Sequence, residues 1–185
     1  MRIIFGLLFK LTLTNLFNSD IILITVFKEF YYMPPDKGDL APKFKLKNSF
    51  GVTKTSEDFR GRYLVIYFYP KDNTPGCTKE SCKFRDLNAE FLKMNCEVIG
   101  ISADSQVSHK EFSAQYGLNF NLLSDPNYNA CKDFGTYFIS EKFGDSILRQ
   151  TFLINEVGLV LNVWKEIKDP ENHPEDVLRF VQSDI

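Results

Sequence analysis

Residues 63–78 of this 185-residue chain read Tyr-Leu-Val-Ile-Tyr-Phe-Tyr-Pro-Lys-Asp-Asn-Thr-Pro-Gly-Cys-Thr, and no other stretch restricts the fold as much. The run Tyr63–Tyr69 is wholly apolar or aromatic, with the length and β-rich composition of a buried strand. It stops at a loop holding Pro70, Pro75 and Gly76. Cys77 follows where the next helix should begin, and that helix runs to about Met94, with Phe84, Leu87 and Phe91 at i, i+3 and i+7. A thiol at a helix start meets unpaired N–H groups and the positive end of the helix dipole, which favour thiolate over thiol. Thiolate is the nucleophilic form, so the position suits a reactive cysteine better than a packed one.

The rest of the chain alternates in the same way. Phe44–Lys47 and Val52–Lys54 flank Gly51 as a short hairpin, and Ser56–Phe59 reads as a helical turn ended by Gly61. Glu97–Ser102 is a second buried strand. Ser105 is a good N-cap for a helix that Gly117 ends. Asn121–Leu123 reads as a short strand and Tyr128–Phe134 as a short helix. Gln150–Ile154 and Leu159–Trp164 pair as a hairpin, and Pro174 sits where the first residue of a final helix should be. Strands alternating with helices, then a terminal hairpin and helix, indicate α/β.

Length matches about one domain, and 44% hydrophobic residues, including 18 Phe and 8 Tyr, supply a sizeable core. A net charge of −2, with Lys and Arg scattered, gives no electrostatic case for nucleic acid. Four unevenly placed cysteines do not make a disulfide scaffold. They point to a cytoplasmic enzyme with a transient redox disulfide rather than to a secreted, stapled fold.

Residues 1–32 are atypical. Their apolar runs Ile3–Phe9 and Ile21–Phe27 are separated by Lys10, Asn15, Asn18, Ser19 and Asp20, and neither approaches the roughly 20 residues of a bilayer span. There is no Ala-x-Ala-like cleavage site, and Arg2 is the only arginine of the segment. No membrane association is expected. The segment reads as an upstream start assignment, with Met33 as initiator, in preference to a targeting or membrane-associated extension, and the domain proper covers residues 36–185.

Pro70, Thr74 and Cys77 match the Pro-x-x-x-Thr-x-x-Cys signature of peroxiredoxins, the cysteine-based peroxidases. The extension Thr78-Lys79-Glu80-Ser81-Cys82-Lys83-Phe84-Arg85-Asp86 resembles the bacterioferritin comigratory protein, or peroxiredoxin Q, branch, in which a second cysteine follows five residues after the first. Further matches come in order: Asp39–Phe44, Leu123–Pro126, Arg149–Ile154 and Val163-Trp164. The resemblance implies a thioredoxin-like fold, a central mixed β-sheet flanked by helices. It also implies a thiol peroxidase that reduces hydrogen peroxide and organic hydroperoxides without metal, haem or flavin and is recycled by thioredoxin.

By residue type alone, each site position has a plainer reading. Cys77 would be a small buried hydrophobe, Thr74 a turn residue bonded to local backbone, Pro70 a strand terminator and Arg149 a solvated strand-end charge. Carried over position by position, the resemblance makes Cys77 the peroxide-attacking nucleophile, with Pro70, Thr74 and Arg149 around it. It gives the N–H groups of Gly76 and Cys77 to the peroxide oxygens. Arg149 would hold the thiolate and stabilise charge as the O–O bond breaks.

The resemblance assigns Cys82 as the resolving cysteine, which otherwise reads as a helix-surface thiol. In a regular helix five residues advance roughly 7.5 Å and turn about 140° past a full turn. Disulfide geometry wants Cα atoms within about 7 Å, so a Cys77–Cys82 bond requires the helix start to unwind. Because both thiols are in one chain, a monomer is expected. Cys96 and Cys131 match no motif and read as packing residues, with Cys131 a minor redox candidate. His109 and His173 read as separate and surface-like, with no metal-site spacing. Asn155 departs from the aspartate usual in the family, and Thr136–Leu148 is the least family-like stretch. Two rivals are a thioredoxin-like disulfide oxidoreductase, which expects Cys-x-x-Cys where this chain has four intervening residues, and a redox sensor or holdase.

Overall fold

The strand that dominates the sequence, β3 (Tyr63–Phe68), lies inside a seven-stranded mixed sheet of order β2-β1-β5-β4-β3-β8-β9. The computed structural model describes residues 33–184, so the reading of residues 1–32 falls outside the described residues. The other strands are β1 (Lys45–Asn48), β2 (Thr53–Thr55), β4 (Cys96–Ser102), β5 (Asn121–Ser124), β8 (Gln150–Ile154) and β9 (Val160–Trp164). β3 runs parallel to β4 and antiparallel to β8, and β4 runs parallel to β5. The helices are α1 (Pro75–Lys93), α2 (Gln106–Tyr116), α3 (Asn129–Asp133) and α4 (His173–Asp184). This is the expected mixed α/β sheet flanked by helices.

Period-2 alternation along β3 divides the core in two. Leu64, Ile66 and Phe68 pack with Phe44, Ile99, Phe134 and Phe152 on one side. Val65, Tyr67 and Tyr69 pack with Phe84 and Phe91 of α1, Phe112 of α2 and Val177 and Val181 of α4 on the other. Burial on both faces explains why the strand is continuously apolar. Tyr67 stacks on Phe84 at 4.7 Å between ring centroids and pairs in register with Gly100. A Cβ on Gly100 would lie 2.7 Å from the Tyr67 ring and from Leu122, so only glycine leaves room for this aromatic.

The structure revises several expected boundaries. α1 begins at Pro75, two residues before Cys77, and α4 begins at His173, one residue before Pro174. Proline is well suited to the first helical position, whose N–H is unpaired anyway. Ser105 caps α2 by accepting from the Ser108 N–H at 3.2 Å, and Gly117 closes it in the left-handed conformation. Within Thr136–Leu148 lies a separate hairpin of β6 (Tyr137–Ser140) and β7 (Gly144–Ile147), absent from the sequence reading. Asn155 sits in the β8–β9 turn, accepting from the Leu159 N–H at 2.8 Å.

Candidate active site

The β3–α1 junction lies at the carboxyl end of the parallel strands, where open α/β sheets place their sites. Phe68 pairs with Gln150 of β8, so Arg149, one residue earlier, is brought to the same end of the sheet. Sequence-distant residues therefore meet. The Arg149 Nη2 donates to Cys77 Sγ at 3.1 Å, while Nη1 donates to the Glu80 carboxylate. Arg149 is not the solvated strand-end charge of the plainer reading.

Cys77 is the third residue of α1, so its N–H is among those a helix leaves without an internal partner. Asn73, in the left-handed region at φ 58°, turns the chain into the extended N-cap Thr74. The first helical bond runs from the Thr78 N–H to the Thr74 carbonyl at 2.8 Å. The Thr74 hydroxyl donates to the Lys71 carbonyl at 3.0 Å, the local bond of its plainer reading. Pro70 is exposed where the strand ends. A Cβ on Gly76 would lie 3.4 Å from both Arg149 Nη2 and Pro170, so glycine keeps the backbone beside the guanidinium accessible. Cys77 itself is only 1% exposed. A small reactant fits such a covered sulfur better than a bulky one.

Glu80 is the residue that sequence reasoning missed. It is fully buried one turn after Cys77, and burial pushes its carboxyl up to about 7 even with Arg149 beside it. Its second oxygen, Oε1, has no hydrogen-bond partner. The signal was the i, i+3 spacing from Cys77, which puts both residues on one helix face. Shared between a sulfur and a carboxylate, the Arg149 guanidinium is fixed in plane and position.

Cys82 lies further along α1, half-buried, and its sulfur accepts from Arg85 Nη1 at 3.7 Å. All four cysteines are free thiols. Cys77 and Cys82 share one continuous helix, so the structure does not place them in bonding position. Cys96 and Cys131 are fully buried; burial pushes the Cys96 thiol up to about 12 and the Cys131 thiol higher still. Both are therefore poor sources of thiolate.

Both histidines are buried, which corrects the surface reading. The His173 ring Nε2 faces the Thr151 hydroxyl at 2.8 Å, and burial takes its pKa down to about 4. His109 faces Asp72 beneath the Pro70–Thr74 loop, with Nδ1 2.9 Å from Oδ2. Each lies on the buried stripe of its own helix, His109 three residues before Phe112 and His173 four before Val177, a periodicity that the surface reading passed over. Among the described residues no three His, Cys, Asp or Glu side chains gather as a metal site requires. The cavity among Ala41, Phe44, Phe59, Leu64 and Ile154 sits at the opposite end of β3 and β8 and is lined by no cysteine.

Residues 37–163 match the AhpC/TSA family. Peroxiredoxin Q, chloroplastic, from Oryza sativa subsp. japonica is 42% identical over 147 residues, covering 80% of this chain and 67% of the rice protein. A mutant of PrxQ from Xylella fastidiosa superposes with a TM-score of 0.77 at 35% identity, over 82% of this chain and 98% of that one. The Xanthomonas campestris bacterioferritin comigratory protein, in a structure addressing its alkyl peroxide reduction activity, gives 0.71 at 37% identity, over 76% and 90%.

Proposed function

The chain belongs to the AhpC/TSA family, on its peroxiredoxin Q branch, and is a thiol peroxidase; we propose that Cys77 is its peroxide-attacking residue and that the enzyme acts on hydrogen peroxide and organic hydroperoxides. The observation that carries this reading is the 3.1 Å contact from Arg149 to the Cys77 sulfur at the start of α1. No other cysteine among the described residues combines a helix start with an adjacent guanidinium.

The Cys77 thiolate attacks one peroxide oxygen, the S–O bond forms as the O–O bond breaks, and the departing oxygen takes a proton to leave as water or an alcohol. Cys77 is left as a sulfenic acid. Arg149 and the N–H groups of Gly76 and Cys77 offset the negative charge that builds on the oxygens, the kind of fixed-donor stabilisation that dominates many active sites. Thr74 reaches the peroxide by turning its hydroxyl from Lys71, and Pro70 shields the mouth. Cys82 then attacks the sulfenic sulfur. The S–S bond forms, the S–O bond breaks, and hydroxide leaves with the thiol proton as water.

A dithiol protein, thioredoxin or its equivalent, reduces that disulfide by exchange. The alkyl peroxide activity named for the Xanthomonas relative supports the organic hydroperoxides. A monomer is supported by having both redox thiols in one chain, and a reducing setting, read as the cytoplasm, by four free thiols. Steady-state peroxide consumption with thioredoxin tests the reading: the parent turns over and Cys77→Ser does not. Comparable turnover by Cys77→Ser would reject it.

A further inference from the structure

Five residues before Cys77, the carboxylate of Asp72 is almost completely buried, 5% exposed, in the loop between β3 and α1. Its Oδ1 accepts from the Tyr69 hydroxyl at 2.7 Å. Its Oδ2 accepts from the Ser108 hydroxyl at 2.7 Å and from His109 Nδ1 at 2.9 Å. The Asp72 N–H donates to Asp104 Oδ2 at 2.8 Å, and the Ser102 hydroxyl donates to the same oxygen at 2.7 Å. This single loop residue is thus tied to β3, to the loop after β4 and to the first turn of α2. His109 is wholly buried, and its other nitrogen, Nε2, has no partner. The imidazole faces only the Asp72 carboxylate at 2.9 Å and, more distantly at 3.4 Å, the Tyr69 hydroxyl that donates to the same carboxylate, so it serves that cluster. The peroxide chemistry uses none of these groups.

On the other side of Cys77 the ties differ. Besides the buried Glu80–Arg149 pair and the buried hydrogen bond between the Ser81 and Tyr67 hydroxyls at 2.9 Å, the first turns of α1 are tied to Glu171 and Glu175, just before and inside α4, by Lys79 and Lys83, whose side chains are exposed or half-buried. Such lysine–glutamate pairs hold weakly. Resting on the resolving role proposed for Cys82, unwinding must begin where it is easiest.

We propose that Asp72 and His109 are positioning residues that anchor the loop ahead of Cys77, confine the unwinding to α1, and thereby set how the sulfenic acid is partitioned. The folded loop keeps Cys77 at Arg149, where it meets peroxide. The unwound helix start takes it to Cys82, where the disulfide forms and water leaves. A second peroxide acting before unwinding converts the sulfenic acid to sulfinic acid, with one more O–O bond broken and one more water or alcohol released. A firm anchor favours the first arrangement. A loosened one shifts the balance toward the second.

The test is single-turnover oxidation by hydrogen peroxide, followed by mass, together with the number of turnovers before Cys77 is trapped as sulfinic acid. His109→Leu keeps the burial and removes the donor to Asp72. It is expected to slow the peroxide step about tenfold and to raise the turnovers before sulfinic trapping several-fold. His109→Asn, whose amide places a donor near the position of Nδ1, should restore both toward the parent. Tyr69→Phe removes one donor without leaving a cavity and should move both in the same direction by two- to threefold, so it carries the test if His109→Leu does not fold. A merely structural role would lower the melting temperature and leave the partition unmoved. An unmoved partition in folded His109→Leu or in Tyr69→Phe, or equal effects of the Leu and Asn variants, would overturn the proposal. Failure of the peroxidase reading itself would show instead as a parent protein that does not consume peroxide.

Discussion

The two flanks of Cys77 are held by different physics. Ahead of it, the chain from Tyr69 to Thr74 is fixed by hydrogen bonds of the buried Asp72, Tyr69 and His109 with one another and with the half-buried Ser108 and Asp104. Breaking one of these strands a buried polar atom, at about 1–3 kcal/mol each. Behind it, α1 has two buried ties, the Glu80–Arg149 pair and the Tyr67–Ser81 hydroxyl contact, and beyond them lysine–glutamate pairs near the surface worth about 0–1 kcal/mol. The difference teaches why a residue in a regular helix can be both well positioned and releasable. The rigid side defines the peroxide site, and the soft side lets Cys77 leave it.

The largest break in this contrast comes from Arg149→Ala, which removes the buried ion pair of the soft flank and the cation beside the sulfur together. Losing a fixed donor of this kind typically costs about 3–4 kcal/mol of transition-state stabilisation. The rate of the peroxide step should fall by about two to three orders of magnitude while the fold persists, measured by stopped-flow tryptophan fluorescence. An unchanged rate would return Arg149 to the role of an ordinary strand-end charge.

Thr74→Val removes a hydroxyl at the boundary between the two flanks. It should slow the peroxide step about tenfold while leaving the melting temperature nearly unchanged, because only the bond to the Lys71 carbonyl is lost. A drop in stability without a loss of rate would leave Thr74 as a turn residue.

Glu80 sharpens the contrast through pH. Burial raises its folded pKa from 4.5 to about 7, so between those values the folded state binds more protons than the unfolded one. Its contribution to stability is therefore present below about pH 4.5 and lost as pH rises through about 7. Thermal melts of the reduced parent and Glu80→Gln across this window should show the parent losing stability relative to the variant as pH rises. Parallel profiles would contradict a strongly raised Glu80.

The smallest effect belongs to the solvated pairs. Lys79→Ala with Lys83→Ala should shift the melting temperature by only a few degrees and remove a modest salt dependence, as exposed pairs do. A large destabilisation would mean the soft flank is firmer than its surface pairs indicate.

Much of this site was legible because its parts are local. The continuous apolar run before Pro70, the prolines and Gly76, and Cys77 at the helix start are chain-adjacent signals of strand, loop and helix. Arg149 needed the family pattern, since nothing local distinguishes it from a surface arginine; only the antiparallel pairing of β8 with β3 brings it to the sulfur. Glu80 and the Asp72–His109 pair stayed hidden for a related reason. Their burial is made by elements tens of residues away, and charged residues on a helix or in a polar loop read as solvated. The β6–β7 hairpin was missed because Tyr-Phe-Ile-Ser and Gly-Asp-Ser-Ile carry no clean alternation. It leaves Ile139 and Phe143 exposed, so it lacks the one-sided burial that period-2 patterning reports.

The most direct test of the account is a non-reducing peptide map, by mass spectrometry, of the parent treated with one equivalent of hydrogen peroxide. If Cys77 reacts at the rigid flank and is released by the soft one, the dominant cross-linked peptide joins Cys77 to Cys82 within a single chain, with Cys96 and Cys131 still free thiols. Cys77 joined to Cys96, to Cys131 or to a second chain, or an oxidised Cys77 beside an untouched Cys82 thiol, would contradict it.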